Sequence, residues 1–337
     1  MGPEGAEIAI TRRHETAGIS VEEVLALYTQ MVLVRILDER ILVLNRQGKV
    51  PIGISCQGHE AAQMGSAWAA LRNGPCFFFP YYRDLALKIT AGVSAREALL
   101  SFMGKAGDPF SNGRQFPLQG ADLRRGIIQL SNVVAAGLPQ AVGYAWACRY
   151  LGEETVVLAY FGDGASSEGE CHEAMNFAGI HRVPIVFFCE NNRYAISVPQ
   201  RKQMAIENVA ERAAAYGFPG VVVDGTDLFE VIEVTRRAIA HARTQGPILI
   251  EAKVERLSPH TTDDDDRRYR SREELEQARH RDPVRRLQQY LLQEGILTPE
   301  QDRAIWEGAR QEVEEATRYA EASPYPEAST LLEHIYA

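Results

Sequence analysis

The sequence predicts an α/β protein built on a doubly wound, mostly parallel sheet. Short apolar runs typical of buried strands alternate with longer segments typical of helices. Two of these runs, Thr155–Tyr160 and Pro184–Cys189, are followed by the polar turns Gly162-Asp163-Gly164 and Asn191-Asn192. The 26 residues between the two turns, 165–190, hold a predicted helix and the second strand, which is the pattern of a βαβ crossover. We therefore expect these two strands to lie parallel in one sheet.

The N-terminal half is predicted to be mainly helical. Ser20 and Glu23 have the spacing of a capping box, in which two side chains satisfy backbone N–H groups at a helix start. His59 and Glu60 are expected to be a buried pair at a helix start, because their spacing suits no zinc motif. In chain order we predict a long helix from Ser20 to near Gly48, a Gly-rich turn over 51–58, a helix over 60–71, a helix capped by Ser94 and Glu97, a polar surface loop over 104–126, and a helix from Pro139 towards Tyr150.

The C-terminal half continues the alternation of helices and strands and ends in a charged helix. Its predicted elements are a helix over 171–180 opened by a capping box at Ser167–Glu170, a helix over 206–216, a strand over 220–223, a helix from Leu228, a strand over 247–254, a charged loop over 257–271, and a helix capped by Thr298 and Gln301 that ends near residue 321. This alternation favours a single α/β domain over 21–322, with helical additions at both ends. Residues 1–20 are expected to form a flexible arm and residues 323–337 a C-terminal tail.

Composition narrows the class of protein. The 337 residues carry a net charge of −9 at pH 7, which disfavours binding to nucleic acid or to an anionic membrane surface. No apolar run reaches the length of a membrane-spanning helix, and residues 1–20 lack the apolar core of a secretory signal. The five cysteines include no Cys-x-x-Cys pair and are interpreted as reduced core residues, as in a cytoplasmic protein.

The two polar turns predict a site for a metal ion and a diphosphate. Ligands of open parallel sheets bind at the carboxyl ends of the strands, where both turns are placed. The glycines permit close approach of the backbone to a phosphate, and Asp163 and Asn192 offer oxygen ligands. Magnesium takes one or two such protein groups together with phosphate oxygens. A Gly-Asp-Gly turn alone is often only a turn, so the prediction depends on the paired Asn-Asn motif at this spacing.

The two motifs together resemble the thiamine diphosphate signature, and the likeness extends from about Val21 to Tyr319. The chain resembles the alpha subunit of the 2-oxo acid dehydrogenases, the decarboxylating first component of those complexes, with the branched-chain members most similar. The matching segments, in the family's order, are Phe79–Asp84, Gly113–Pro117, Leu138–Gly143, Gly162–Gly169, Glu190–Ser197 and Ser258–Asp263. The resemblance implies the thiamine-diphosphate-binding fold. It also implies a cofactor whose thiazolium ring supplies the carbanion for decarboxylation.

The resemblance assigns roles to individual residues. Asp163, Asn192 and the backbone carbonyl of Tyr194 would hold Mg²⁺. His260 would contact the diphosphate and act as the catalytic acid or base, because an imidazole titrates near neutral pH. The other implied contacts are Gly162, Gly164, Ala165, Tyr82 and Arg83 around the diphosphate, and Asn132, Val134 and Ile196 around the aminopyrimidine.

At some positions the sequence departs from its relatives. Glu190 stands where many branched-chain members have an arginine, so Arg83 and His260 are expected to be the main cationic contacts, without a second arginine. Ala136 and Gly137 replace the Thr and Gln that bind potassium in some relatives, which speaks against a potassium site. Thr261 and Thr262 follow His260 where animal members have phosphorylated serines, and no regulation is predicted from them.

The predicted partner is a beta subunit. Enzymes of this group need a glutamate from a second α/β unit to protonate the pyrimidine, and this chain has only one such unit. We expect an α₂β₂ assembly, docked on a lipoyl acyltransferase core, that oxidatively decarboxylates a 2-oxo acid such as 3-methyl-2-oxobutanoate and transfers the acyl group to lipoamide. The alternatives within the class are a pyruvate dehydrogenase or an acetoin dehydrogenase alpha subunit. Two other classes of protein are disfavoured. The intact motifs disfavour a non-catalytic binding subunit, and the lack of a Gly-x-Gly-x-x-Gly turn after a strand disfavours a nucleotide-dependent oxidoreductase.

Overall fold

A seven-stranded sheet forms the centre of the computed structural model, which describes residues 12–333. In chain order its strands are β1 (Cys76–Phe79), β2 (Gly120–Asp122), β3 (Ile127–Gln129), β4 (Val156–Gly162), β5 (Ile185–Asn191), β8 (Gly220–Asp224) and β9 (Ile248–Lys253), with a separate two-stranded ribbon of β6 (Tyr194–Ala195) and β7 (Val198–Pro199). The spatial order is β2-β3-β1-β4-β5-β9-β8, and every neighbouring pair is parallel except β2–β3. The predicted doubly wound, mostly parallel sheet is confirmed.

Helices cover both faces of this sheet. They are α1 (Arg13–Thr16), α2 (Val21–Arg46), α3 (Glu60–Leu71), α4 (Leu85–Thr90), α5 (Ala95–Phe102), α6 (Gly137–Tyr150), α7 (Gly169–His181), α8 (Gln200–Gln203), α9 (Leu228–Gln245), α10 (Arg272–His280), α11 (Pro283–Gln293) and α12 (Pro299–Ala322). The capping boxes predicted at Ser20, Ser94 and Thr298 are confirmed, since each side chain accepts from the N–H of the third helical residue.

Alternating side chains of the central strands fill two separate cores. On β4, Leu158 and Tyr160 face the core beneath α2, α3 and α9, whereas Ala159 and Phe161 face the core beneath α6 and α7. Strand β5 is buried along its whole length, as expected for a central parallel strand with helices on both faces. These two strands therefore form a rigid base for the residues that follow them.

Some local predictions were wrong. The helix expected after Ser167 begins at Gly169 without a side-chain cap, because residues Gly164–Ser167 already form a turn of 3₁₀ helix. The segment 206–216 is a 3₁₀ helix only from Val209. The loop over 104–126 is not wholly a surface loop, since it contributes β2 and buries Leu118.

The two chain ends were expected to be an arm and a tail, and each lies partly outside the described residues. Residues 1–11 and 334–337 are outside the range 12–333. Within it, residues 12–20 pack on the domain instead of forming a loose arm: His14 and Ile19 are buried, and the His14 ring contacts the Tyr290 hydroxyl at 2.8 Å. Among the described residues no helix is long and apolar enough to cross a membrane.

Candidate active site

A cleft of about 230 Å³ opens where β3, β1, β4 and β5 end. This is the edge of a parallel sheet where ligands bind. All of the residues that the sequence singled out for the cofactor line it: Tyr82, Arg83, Asn132, Val134, Gly162, Asp163, Gly164, Ala165, Asn192, Tyr194, Ile196 and His260. Residues separated by up to 178 positions in the chain thus meet in one cleft, because the strands that precede them are neighbours in the sheet.

Asp163 presents an unsatisfied carboxylate oxygen. It directly follows β4 and is 1% exposed, and its Oδ2 atom has no hydrogen-bond partner among the described residues. Burial raises the pKa of Asp163 to about 6. Asn192 follows β5, the parallel neighbour of β4, so the two predicted metal ligands lie at the same edge of the sheet. A buried carboxylate with a free oxygen is an arrangement that a cation would stabilise.

Two buried arginines flank the cleft, and neither pairs with a carboxylate within residues 12–333. Arg83 is 2% exposed; its Nη1 donates to the Ser55 carbonyl at 2.6 Å, and its Nε has no partner. Arg256 is 1% exposed, and burial and the charge of Arg83 lower its pKa. Buried charges are ordinarily paired, so two unpaired guanidinium groups at one cleft favour an anionic ligand.

Arg256 was missed by the sequence analysis, which expected no second arginine. It lies three residues beyond the end of β9, at the same sheet edge as Asp163, and this position after a strand was the only available signal. It does not line the cleft. Its Nη1 donates to the Ile196 carbonyl at 2.9 Å and its Nη2 to the Tyr269 hydroxyl at 2.7 Å. Arg256 therefore supports the wall of the cleft and adds positive charge behind it.

The wall predicted to hold the pyrimidine contains strained backbone. Ile196 has φ of 54° and Ala135 has φ of 68°, a left-handed conformation that is uncommon for residues other than glycine and rarest for β-branched residues such as Ile196. Ile196 and Val134 are nevertheless exposed, at 58% and 44%. Such strain is maintained only where surrounding contacts impose it, and it is common at ligand sites. The bond from Arg256 is one of these contacts.

His260 is held from two sides. Arg83 Nη2 lies 3.2 Å from its Nδ1, and its backbone N–H donates to Asp264 at 2.8 Å. Burial, and then the charges of Arg83 and Arg256, lower the pKa of His260 to about 4. The ring is thus neutral at neutral pH and can donate or accept a proton at the cleft.

Glu190 faces the protein interior. Its Oε2 accepts from His59 Nδ1 at 2.6 Å, Gln63 Nε2 at 2.9 Å and the Tyr81 hydroxyl at 3.1 Å. The expectation that His59 and Glu60 form a buried pair at a helix start is confirmed, with both side chains 0% exposed. The position that is arginine in many relatives is therefore part of a buried polar network.

An apolar side cavity of about 150 Å³ continues from the main cleft. The two spaces share Tyr82, Asn132 and His260. The remaining lining residues are Ile52, Ile54, Phe102, Phe116 and Pro117. Sequence analysis identified Gly113–Pro117 only as a family segment and did not assign it to a pocket. The cavity offers an aliphatic group a place beside the imidazole.

The residues present fit a magnesium–diphosphate group. No cluster of three His, Cys, Asp or Glu side chains that could hold a metal occurs among residues 12–333. Magnesium does not need one, because it uses few protein ligands and several phosphate oxygens. The first N–H groups of the Gly164–Ser167 turn have no partner within that turn and could bind phosphate. A Cβ atom on Gly164 would lie 3.0 Å from Ala195 Cβ, so the close approach here favours glycine.

Comparison with known proteins adds a family match. Residues 28–329 match the model of the family described as "Dehydrogenase E1 component". The alpha subunit of 2-oxoisovalerate dehydrogenase from Bacillus subtilis is 43% identical over 328 residues, covering 97% of this chain and 99% of that protein. The alpha subunit of 3-methyl-2-oxobutanoate dehydrogenase from Mycobacterium tuberculosis is 38% identical, covering 88% and 77%. The alpha subunit of the pyruvate dehydrogenase E1 component from Staphylococcus aureus is 34% identical, covering 94% and 82%.

Proposed function

The chain belongs to the dehydrogenase E1 component family, and from this we propose that it is the alpha subunit of a branched-chain 2-oxo acid dehydrogenase. The reaction is the oxidative decarboxylation of a 2-oxo acid such as 3-methyl-2-oxobutanoate, with transfer of the acyl group to a lipoyl group. The observation that carries this proposal is the cleft itself, which is lined by the buried carboxylate of Asp163, whose Oδ2 has no partner, and by the buried guanidinium of Arg83, which pairs with no carboxylate within residues 12–333. A metal ion with a polyphosphate would satisfy both charges at once.

The cofactor is thiamine diphosphate, which this family uses. We place its Mg²⁺ on Asp163, Asn192 and the carbonyl of Tyr194, in agreement with the free oxygen of Asp163. Arg83 and His260 would bind the diphosphate from the opposite side of the cleft. Arginine suits this role because its planar guanidinium bonds two phosphate oxygens together.

An alpha subunit requires a beta subunit, and the cleft has features that suit one. Its mouth exposes apolar side chains, among them Leu130 at 59%, Val133 at 69% and Ile196 at 58%. Exposed apolar side chains beside a ligand cleft are typical of an interface. We propose that the beta subunit covers it in an α₂β₂ assembly and that the assembly docks on a lipoyl acyltransferase.

The side cavity supports a branched-chain substrate over pyruvate. A methyl group does not require a separate apolar space, whereas an isopropyl or isobutyl group gains free energy by leaving water for it. Relatives named for branched-chain substrates also reach higher identity, 43% and 38%, than the pyruvate dehydrogenase subunit at 34%. Pyruvate dehydrogenase and acetoin dehydrogenase remain the alternatives.

The proposal is tested with the chain co-purified with its beta subunit. We expect activity to be higher on 3-methyl-2-oxobutanoate than on pyruvate or acetoin. Asp163→Ala removes the buried carboxylate and should abolish Mg²⁺-dependent binding of thiamine diphosphate in calorimetry, while Asp263→Ala, an exposed carboxylate of the His260 loop, should leave it unchanged. Retained cofactor affinity in Asp163→Ala would show that the metal site is wrongly placed.

A further inference from the structure

His59 connects a buried carboxylate to a predicted metal ligand. Its ring is fully buried, with Nδ1 2.6 Å from Glu190 Oε2 and Nε2 3.3 Å from the amide nitrogen of Asn192. The His59 side chain does not line the cleft and can act only through the residues that it contacts.

The hydrogen bonds fix the direction of each group in this connection. An amide nitrogen can only donate, so Nε2 of His59 must accept and the ring proton must be on Nδ1. That proton then points to the Glu190 carboxylate, which can only accept a hydrogen bond. The Asn192 amide is also fixed from its other end, because the backbone N–H of Tyr194 donates to Oδ1 at 3.2 Å.

The orientation of this amide decides whether Asn192 can bind a cation. The oxygen binds Mg²⁺ and the nitrogen cannot, and the two ends of a carboxamide are nearly equal in shape. We propose that His59 is a positioning residue, held by Glu190, which keeps the amide nitrogen of Asn192 turned inward, so that Oδ1, which accepts one hydrogen bond from the Tyr194 N–H, keeps its second lone pair for the metal ion. The inference rests on the proposed function, since it assumes the Mg²⁺ site of Asn192.

Glu190 is suited to hold the ring in place. Its Oε2 is also bound by Gln63 and by the Tyr81 hydroxyl, and its side chain is fully buried. Carboxylate partners of this kind fix the tautomer and orientation of histidines in metal sites, and their removal typically costs 10–100-fold in metal affinity. Here the histidine is not itself a metal ligand; it holds the amide side chain of Asn192, which is the proposed ligand.

Three substitutions of His59 separate its two contacts. Glutamine can place a carboxamide oxygen near the position of Nε2 and keep the bond to Asn192. Asparagine is shorter, so it can replace only the Nδ1 contact with Glu190. Phenylalanine keeps the ring but removes both bonds. The matched control is His14→Phe, which removes a buried imidazole bonded to Tyr290 outside the cleft.

The measurement is calorimetric titration of thiamine diphosphate into the complex with the beta subunit at a series of Mg²⁺ concentrations. For His59→Asn and His59→Phe, the Mg²⁺ concentration for half-maximal binding should rise about 10–100-fold, and excess Mg²⁺ should restore binding. His59→Gln and His14→Phe should stay close to the wild type. A general folding defect would not be rescued by Mg²⁺ and would appear in His14→Phe as well.

Two results would overturn the inference. One is a Mg²⁺ requirement of His59→Asn equal to that of the wild type. This result can be obtained even if His59→Phe does not assemble with the beta subunit. The other is an equal loss in His59→Gln and His59→Asn, since the contact with Asn192 would then not be the cause. Either result leaves the proposed function intact as long as Asp163→Ala abolishes cofactor binding, so failures of the two proposals are distinguishable.

Discussion

The Nδ1 atom of His260 lies 3.2 Å from Nη2 of Arg83. A guanidinium only donates, so Nδ1 must accept and the ring proton must be on Nε2. We propose that the same arginine binds the diphosphate. Arg83 thus fixes the tautomer of the proposed catalytic histidine, and its charge, after burial, contributes to the lowered pKa of that ring.

The first prediction concerns the titration of His260. In the cofactor-free protein its ring should titrate near pH 4, because burial and the charges of Arg83 and Arg256 disfavour the imidazolium. The unfolded chain titrates at about 6.5 and binds more protons between these values, so this group lowers stability as the pH falls from 6.5 to 4. A bound diphosphate adds negative charge and should raise the pKa. NMR of the ring protons, assigned with His260→Asn, measures both states; a cofactor-free pKa near 6.5 would contradict the structure.

The second prediction concerns catalysis by His260. General acid–base groups typically contribute about 10²–10⁴-fold, so His260→Ala should lower lipoamide-dependent turnover of the complex by that order. Decarboxylation assayed with an artificial electron acceptor should fall less, because the cofactor performs that step largely without a protein acid. His280→Ala, an exposed histidine at the end of α10, is the control. Unchanged lipoamide-dependent turnover in His260→Ala would remove the catalytic role.

The parts of the fold that the sequence predicted have strong local signals. Strands β4 and β5 are long apolar runs ending in Gly-Asp-Gly and Asn-Asn, so both their type and the place of Asp163 and Asn192 could be predicted. Strands β1 and β3 have four and three residues, and segments this short give no periodicity to detect. The predicted cap at Ser167 failed because a local 3₁₀ turn precedes the helix.

The unpredicted parts of the site depend on long-range packing. Arg256 belongs to no motif, and the Gly113–Pro117 segment gives no local sign that Phe116 lines a cavity; only the fold brings Arg256 behind the cleft and Phe116 beside it. The contact of His59 with Asn192 joins residues 133 positions apart. The sequence shows which charged residues have no oppositely charged neighbour along the chain. It does not show which of these residues are buried in the folded protein.

The third prediction concerns the side cavity. Ile52→Trp should fill part of this space and lower kcat/KM for 3-methyl-2-oxobutanoate more than for pyruvate. A difference of one methylene group in an apolar pocket typically changes the ratio of kcat/KM between two substrates by about 10–200-fold, and we expect the ratio to change within this range. Leu71→Trp, which adds a tryptophan at an exposed position at the end of α3, is the control. An equal loss on both substrates would mean that the cavity does not hold the substrate side chain.

The last prediction concerns the need for a partner. The described residues provide Asp163, Arg83 and His260 at the cleft, but the three residues that we expect around the pyrimidine, Asn132, Val134 and Ile196, include no carboxylate. The glutamate that protonates the pyrimidine should therefore come from the beta subunit, and the purified chain alone should not decarboxylate a 2-oxo acid. Addition of the beta subunit should restore turnover.

An interface variant tests the same requirement from the side of this chain. Leu130 is 59% exposed next to the cleft and does not line it, so Leu130→Asp should weaken assembly with the beta subunit without removing a cofactor contact. Val222→Asp, which introduces the same charge on the edge strand β8 at 48% exposure, is the matched control. Sedimentation measures assembly, and turnover at rising beta-subunit concentration measures its consequence. Because a weakened interface is overcome by mass action, Leu130→Asp should regain activity at high beta-subunit concentration. Decarboxylation by the isolated wild-type chain would instead show that this chain supplies its own activating carboxylate.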